Sequence, residues 1–288
     1  KRRAVLRNQR QKRVGIIALL LTAILWSLSG VFIKYIPWNP VAIAGVRSFF
    51  ALFLLVPLTR RENWHFSKDQ WLVAISYVGM MVGFVVATKW TTAANAILLQ
   101  YTSPVYIILL STVFLGEKIT WRDWLTMAVT GIGMGAFFLD KLGGGSVAGN
   151  LIAIFSGVCV AFVTIFLRRL KSGRIEAIVL GNILVFLVSI PFLEAPWPDT
   201  YGWISLVFLG IVQLGLSFFL YTWATPRVST IEQALVPMIE PLLNPFWVFL
   251  AFGEAPGIIS IFGGALVLFS VTARCVWESY EQNKKFNQ

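Results

Sequence analysis

Long apolar segments, separated by short polar loops, constrain the fold of this chain more than any other feature. Crossing a bilayer as an α-helix takes about 20 predominantly apolar residues. Segments of suitable length and hydropathy lie at residues 14–36, 40–58, 71–88, 93–115, 124–140, 150–167, 177–193, 203–224, 231–252 and 257–275. A transmembrane β-barrel would instead show short segments of alternating polarity. We therefore predict an all-α integral membrane protein with ten transmembrane helices.

The composition excludes an ordinary soluble domain. Hydrophobic residues make up 57% of the 288 residues and charged residues 13%, with a mean hydropathy of +0.76, which is far from the average of soluble proteins. The chain is also basic, with a net charge of +11. A basic chain can bind nucleic acid, so the location of the charges decides how this value is interpreted.

The positive charges are concentrated on one predicted side of the membrane. If both tails face the same side, that side holds 20 of the 24 Lys and Arg residues, the other side holds three, and Arg47 lies within a helix. By the positive-inside rule, we predict a multi-pass membrane protein with both termini in the cytoplasm. Contact with anionic membrane lipid then explains the charge, and no nucleic-acid partner is expected.

The two halves of the sequence resemble each other. Aligning residues 93–117 with residues 230–254 places Pro104 on Pro241 and Glu117 on Glu254. Each half contains five spans, an odd number, so the second half must enter the membrane from the opposite side and the repeat is inverted. The predicted organisation is a cytoplasmic basic tail (1–13), a first five-helix repeat (14–140), a Gly-rich connector (141–149), a second five-helix repeat (150–275) and a cytoplasmic tail (276–288).

The ninth span has features that a simple packing helix lacks. It contains three prolines and a central acid, Glu240. Each proline removes a backbone donor and leaves the carbonyl four residues earlier unpaired, which is tolerated in a membrane only beside other protein or a wet cavity. One interpretation is a broken helix that lines a cavity, with Glu240 on a solute path. The other is a proline-kinked packing helix whose glutamate stays protonated.

Paired broken helices suggest a transport site. Pro104 interrupts the fourth span at a depth that matches the ninth span, and interrupted helices at the interface of inverted repeats are a common transporter plan. Helical spacing places polar groups of the ninth span on one face, and the fourth span offers polar groups at matching positions. The candidate substrate-binding residues from these and other spans are Trp26, Ser29, Tyr77, Phe84, Gln100, Ser103, Gln213, Tyr221, Gln233, Pro237 and Glu240.

Each of these candidates has an equally good interpretation as a packing residue of the bundle. If they line a cavity, it is largely apolar and aromatic with few hydrogen-bonding groups, which suits a small amphipathic solute. We expect Gln100, Gln233 and Glu240, with the carbonyls freed by proline, to receive the amino group of such a solute. Arg47 is close enough to the outer end of its span to extend outward, so it is interpreted as an anchor or ion-pair partner rather than a solute ligand.

Enzymatic and cofactor-dependent functions are not indicated. The single histidine, His65, falls in a predicted cytoplasmic loop, which excludes an intramembrane Ser/His site or a His-based metal site. No phosphate-binding loop is present, and we predict no cofactor and no metal. The string "GIGMG" follows no strand, so it is not a dinucleotide motif. Small residues four apart let helices approach closely, and we predict packing faces at Gly79 and Gly83 and at Gly131 and Gly135.

The chain resembles the EamA-type members of the drug/metabolite transporter superfamily. The resemblance covers essentially the whole chain, and it is carried by the ten spans, the basic N-terminal tail and the Pro…Gly-Glu pattern that ends both broken spans. The strings "WSLSGVFIKY" and "EQALVPMIEPLLNP" are most similar to the YddG-type exporters of aromatic amino acids. The resemblance implies a central cavity between the halves, which opens alternately to each side of the membrane.

Two departures from other members of the superfamily bear on the substrate. Sugar-phosphate translocators hold phosphate with basic residues, and the fourth and ninth spans here contain none. Small multidrug antiporters use a glutamate in the first span, which is absent here, so Glu240 is the alternative carboxylate for proton coupling. The predicted function is export or facilitated passage of small amphipathic metabolites, chiefly aromatic and apolar amino acids, although the candidate residues offer no basic partner for a solute carboxylate.

Three other functions remain open at this stage. They are a proton-coupled drug or cation exporter, a channel-like facilitator, and a structural membrane protein without flux. The sequence is compatible with a monomer.

Overall fold

The structure is a computed structural model that describes residues 2–34, 36–91, 93–138, 146–243 and 258–287. Every regular secondary-structure element in these residues is a helix, which confirms the all-α prediction for this part of the chain. The α-helices are α1 (Arg2–Ser27), α2 (Ser29–Lys34), α3 (Pro40–Leu55), α4 (Lys68–Trp90), α5 (Ala93–Gln100), α6 (Ser103–Phe114), α7 (Trp121–Phe138), α8 (Val147–Arg169), α9 (Arg174–Ser189), α10 (Thr200–Phe208), α11 (Ser217–Ala224), α12 (Thr230–Leu235) and α13 (Ile258–Asn287).

Six segments within the described residues are long and apolar enough to cross a membrane. They are Pro40–Leu58, Lys68–Trp90, Asn95–Phe114, Val147–Arg169, Arg174–Phe192 and Thr200–Arg227. These segments correspond to the second, third, fourth, sixth, seventh and eighth predicted spans. The fifth predicted span lies in α7, and the tenth corresponds to a shorter apolar stretch, Ile261–Trp277, within α13.

The predicted helix interruptions at two prolines are present. The fourth span divides between α5 and α6, and Pro104 lies in the first turn of α6, where its missing N–H breaks no helical hydrogen bond. In the ninth span, α12 ends at Leu235 and continues as a 3₁₀ helix, Val236–Ile239, with Pro237 in its first turn. Three predicted features lie outside the described residues: Glu254, most of the connector 141–149, and the end of the ninth span.

Two further irregularities were not predicted. The first span divides between α1 and α2, and α1 begins at Arg2, so the basic N-terminal tail and the first span share one helix. In the eighth span, a π-helical segment, Leu209–Leu216, separates α10 from α11. π-Helical turns are rare, and they occur frequently at functional sites.

The helices pack as one bundle in which segments distant in the sequence alternate. Helix α4 packs against α8 and α9, α3 packs against α9 and the π-helical segment, and α1 packs against α11 and the 3₁₀ helix. Both α5 and α6 pack against α8, α7 packs against α13, and α12 packs against α6. The largest buried cluster includes Tyr77, Phe218 and Tyr221, so the core lies between α4, α9 and α11.

The glycine pairs gave one correct and one wrong prediction. A Cβ on Gly79 would lie 2.6 Å from Cys159 Sγ, and one on Gly83 would lie 3.4 Å from Ser156 Cβ, so this face packs closely on α8 as predicted. At Gly131 and Gly135 a Cβ would meet no atom of the described residues within 4 Å. The close approach is instead at Gly133 on the opposite face of α7, because that is the face turned toward α13.

Candidate functional site

A cavity lies within the bundle between segments from both halves of the sequence. Its empty volume is about 790 Å³, including the part that is open to its surroundings, a size common among small-molecule sites. Ten of the eleven predicted residues lie on its wall: Trp26, Ser29, Phe84, Gln100, Ser103, Gln213, Tyr221, Gln233, Pro237 and Glu240.

The remaining predicted residue, Tyr77, lies behind the wall. Its side chain is completely buried, its hydroxyl donates to Asn182 Oδ1 at 3.3 Å, and its ring meets Phe218 edge-on at a centroid distance of 5.0 Å. Tyr77 is directed toward α9, whereas Met80 and Phe84 on the same helix reach the cavity. Tyr77 therefore supports the wall from the second layer of side chains.

An aromatic cluster forms one side of the cavity. The ring of Trp26 on α1 lies 5.2 Å from that of Phe218 and 5.5 Å from that of Tyr221. The hydroxyl of Tyr221 lies 2.8 Å from Thr164 Oγ1, which fixes the ring from behind. The packing and cavity-lining interpretations of Trp26 are thus compatible, because the indole packs on α11 and also contributes to the wall.

A tyrosine–glutamate contact joins the two broken spans. The Tyr101 hydroxyl donates to Glu240 Oε2 and lies 3.3 Å from the carbonyl oxygen of Pro237. Tyr101 occupies the turn between α5 and α6, so the interruption near Pro104 is what directs its side chain across the cavity. Sequence reasoning missed Tyr101, although its position at the break in the fourth span was the available signal.

Two of the three predicted cavity amides, Gln100 and Gln233, form hydrogen bonds within the protein. Gln100 Nε2 donates to Ser156 Oγ at 2.8 Å. Gln233 Nε2 donates to Thr225 Oγ1 at 2.9 Å, and its Oε1 accepts from Arg168 Nη1 at 3.0 Å. Both side chains therefore serve first to connect helices. Among the three side chains predicted to receive a solute amino group, Glu240 supplies the carboxyl group, and this group accepts from Tyr101.

Arg47 is the most consequential wall residue that the sequence interpretation misplaced. It is 3% exposed and lies on the cavity wall. The opposite face of α3 carries Phe49 and Phe53, which are 38% and 61% exposed, so the face that carries Arg47 is turned toward the interior. Among the described residues Arg47 forms no ion pair, and its Nε has no hydrogen-bond partner. The expectation of an outward anchor or ion-pair partner is wrong, and the cavity does contain a basic group.

Other wall residues are apolar. They come from α4, α6, α8, α11, α12 and the π-helical segment, and they are Met80, Met81, Ile107, Val160, Leu214, Phe218 and Ala234. Helical spacing pointed to two of them, since Met80 shares a face with Phe84 and Ile107 shares one with Ser103. No feature of the sequence distinguished the other five from ordinary core positions.

Charged contacts join the helices at the end of the bundle nearest the N-terminus. Lys12 Nζ lies 2.8 Å from Glu232 Oε1, with side chains 10% and 0% exposed, and this contact ties α1 to α12. Arg168 on α8 donates to the backbone oxygens of Thr225 and Val228 at 3.1 and 3.0 Å. These contacts link elements from both halves of the sequence at one end of the cavity.

Within the residues that the structure describes, no group of three or more His, Cys, Asp or Glu side chains is arranged to hold a metal ion. The charged side chains among the described wall residues are Arg47 and Glu240, and Tyr101 donates to Glu240. Neutral polar side chains of the wall include Ser29, Gln100, Ser103, Gln213 and Gln233. One cation, one carboxyl group and an aromatic surface can orient a small molecule that carries both polar and apolar parts.

Comparison with models of protein families identifies a transporter family. A model of the EamA-like transporter family matches residues 13–139 and again residues 147–273. An uncharacterized transporter of Archaeoglobus fulgidus is 24% identical over 263 residues, which cover 90% of this chain and 95% of that protein.

Two similar proteins have named substrates. The pseudopaline exporter CntI of Pseudomonas aeruginosa is 29% identical over 188 residues, covering 62% of this chain and 65% of the exporter. The biotin transporter of Salmonella typhimurium is 25% identical over 233 residues, covering 73% of this chain and 76% of the transporter. A solved crystal structure matches with a TM-score of 0.77 at 20% identity, covering 93% of this chain and 97% of the other, and supports the fold.

Proposed function

We propose, from the premise that the chain belongs to the EamA-like transporter family, that it exports or facilitates small amphipathic metabolites by alternating access around the central cavity. Family membership and the names of its relatives identify a multi-pass membrane transporter of small molecules and not an enzyme. The proposal adds the solute class, which is aromatic and apolar amino acids, as in the YddG-type exporters.

The composition of the cavity wall carries the proposal. The Trp26, Phe218 and Tyr221 rings offer an apolar surface on which an aromatic or aliphatic side chain can pack. Glu240, held by Tyr101, offers a carboxyl group to an amino group. A wall with these two characters matches a molecule that is apolar at one end and polar at the other.

The proposed architecture is ten transmembrane helices in two inverted five-helix repeats. The helix contacts support it, because exchanging the two halves maps the contact of α4 with α8 onto that of α11 with α1. The same exchange maps the contact of α4 with α9 onto that of the π-helical segment with α3. It also maps the contacts of α5 and α6 with α8 onto that of the 3₁₀ helix with α1.

The proposed organisation and location complete this description. The proposed repeats, 14–140 and 150–275, resemble the two family matches in extent. The proposed location is the bacterial inner membrane with both termini in the cytoplasm, where the basic loops contact anionic lipid. A monomer suffices for this mechanism, since one chain supplies the cavity wall.

Counterflow in proteoliposomes tests the solute class. Purified protein is reconstituted, loaded with unlabelled phenylalanine and supplied with labelled phenylalanine outside, with amino acids, sugar phosphates and cationic dyes as competitors. We expect saturable exchange that aromatic and apolar amino acids inhibit. Flux that rises without saturation would support a channel-like facilitator, and movement of a sugar phosphate or dye instead of phenylalanine would overturn the proposed substrate.

A pair of tryptophan variants provides a matched control. Trp26→Ala removes an aromatic surface from the cavity wall and should weaken inhibition by aromatic amino acids more than inhibition by alanine. Trp121→Ala removes a tryptophan that is 68% exposed on the outside of the bundle and absent from the wall. Equal effects of the two substitutions would contradict an aromatic-binding role for the cavity.

A further inference from the structure

We propose that Arg47 binds the carboxylate of the transported solute, so that the cavity is specific for molecules with a single negative charge. This inference rests on the proposed function and deepens it, because it assigns a binding group to the part of an amino acid that the other wall residues do not recognise.

The first argument is the environment of the guanidinium group. Arg47 is 3% exposed, its Nη2 has a weak contact with Met81 Sδ at 3.5 Å, and its Nε has no hydrogen-bond partner among the described residues. A buried charge without a partner costs several kcal/mol of folding free energy. Charged residues within membrane helices are accordingly found facing cavities and functional paths. Arg47 meets that condition because its side chain borders the cavity.

The second argument is the close packing of the helix that carries Arg47. A Cβ on Gly210, in the π-helical segment, would lie 2.6 Å from the backbone oxygen of Arg47. The glycine therefore allows α3 to contact this segment directly. The same segment carries Gln213, which is on the cavity wall and whose buried Oε1 has no partner among the described residues. An unpaired donor and an unpaired acceptor thus lie on adjoining elements of the wall.

The third argument is the charge balance of the cavity. Arg47 is the single Lys or Arg among the described residues of the wall, and Glu240 is the single acidic residue there. One cation and one carboxyl group complement the carboxylate and ammonium groups of a zwitterion. A phosphate ester carries up to two negative charges at neutral pH, and one arginine leaves such a group only partly neutralised.

The guanidinium also has the right geometry for a carboxylate. Its planar fork donates two parallel hydrogen bonds to the two carboxylate oxygens, which a lysine ammonium cannot reproduce. A site built to hydrogen-bond a substrate group discriminates strongly against an analogue that lacks the group, because the buried site is then left unpaired. This discrimination is the measurable consequence of the proposal.

Competition with analogues of phenylalanine tests the inference. In the counterflow assay, the competitors are phenylalanine, phenylalaninamide, which lacks the carboxylate, 3-phenylpropionate, which lacks the ammonium, and glucose 6-phosphate. For the natural chain we expect phenylalaninamide to inhibit at least about tenfold more weakly than phenylalanine, a difference of about 1.4 kcal/mol. Equal inhibition by the two, or stronger inhibition by glucose 6-phosphate, would overturn the assignment of a carboxylate site.

Substitutions at Arg47 identify the residue responsible. Arg47→Gln should weaken inhibition by phenylalanine and by 3-phenylpropionate at least about tenfold while leaving phenylalaninamide unchanged. Arg47→Lys should give an intermediate ratio because it keeps the charge without the fork. Arg60→Gln serves as a control, since this side chain is 76% exposed outside the cavity, and it should keep the ratio of the natural chain.

The outcomes separate this inference from the proposed function. If Arg47→Gln does not fold, the test is how much more weakly phenylalaninamide inhibits counterflow than phenylalanine does, compared between the natural chain and Arg47→Lys. The same difference in inhibition in both proteins counts against the assignment. Counterflow that persists in Arg47→Gln with its carboxylate preference intact would overturn the inference alone. Absence of counterflow for every solute in the natural chain would overturn the proposed function and this inference with it.

Discussion

The Lys12–Glu232 ion pair is predicted to keep one end of the cavity closed, and Glu232→Gln tests this role. The two groups are 2.8 Å apart and tie the first helix to α12. Glu232 also caps α12, since its Oε2 accepts from Ser229 N–H while Ser229 Oγ accepts from Glu232 N–H. A glutamine maintains this capping box, so the substitution removes the charge and little else.

The size of the effect follows from burial. Removing one partner of a buried ion pair costs about 3–5 kcal/mol, because the other charge is left buried without compensation. Lys12 is 10% exposed and can extend its flexible stem toward water, so the lower value of about 3 kcal/mol applies. A free energy of about 1.4 kcal/mol changes an equilibrium constant about tenfold. If the ion pair exists only when this end is closed, losing about 3 kcal/mol lowers the closed-to-open ratio about 100-fold.

Chemical labelling of the cavity measures that shift. In a background in which Cys159 and Cys275 are replaced by alanine, Ala234→Cys places a thiol on the cavity wall. A membrane-impermeant maleimide added on the side of the N-terminus should label this thiol up to about 100-fold faster after Glu232→Gln. Combining Glu232→Gln with Lys12→Met should return the rate toward the original value, because no unpaired buried charge remains.

An exposed ion pair provides the control for this prediction. Arg60 and Glu62 lie 3.8 Å apart with side chains 76% and 75% exposed, and exposed pairs contribute little. Glu62→Gln should therefore leave the labelling rate unchanged. If Glu232→Gln labels no faster than Glu62→Gln, the ion pair does not close the cavity and the reasoning is refuted.

Three further predictions concern helix packing, proton coupling and binding of the solute ammonium group. Gly133→Ala should lower the free energy of unfolding by about 1–3 kcal/mol, because its Cβ would lie 2.9 Å from the Gly263 oxygen. Gly131→Ala should leave it unchanged, because its Cβ would meet no atom of the described residues within 4 Å. Denaturation in detergent compares the two variants. If Glu240 couples transport to protons, Glu240→Gln should abolish the pH dependence of counterflow, and retained pH dependence would exclude that role. Tyr101→Phe removes the donor to Glu240 and should weaken inhibition by amino acids about tenfold, in line with the loss of a hydrogen bond to a charged group. Inhibition by 3-phenylpropionate, which lacks the ammonium group, should change little. A similar loss for both competitors would contradict an ammonium-binding role for Glu240.

The prolines predicted the interrupted helices correctly, because the cause of such an interruption lies in the proline residue itself. Pro104 and Pro237 lack the donor that a continuous helix requires, whatever surrounds them. Small-residue spacing was a weaker guide. Gly131 and Gly135 have the spacing of a packing face, but the residue of α7 that packs closely against α13 is Gly133. Which face of an apolar helix meets another helix depends on the partner, and the sequence of one helix does not contain that information.

The sequence alone determined the membrane class, the positions of most helices and the two proline breaks, since these depend on the polarity and backbone chemistry of contiguous residues. The cavity depended on tertiary structure. Tyr101 reaches Glu240 across 139 residues of sequence, and Arg47 faces the interior because α3 packs on the π-helical segment. Such contacts follow from how whole helices pack together, and periodicity within any single helix cannot predict them.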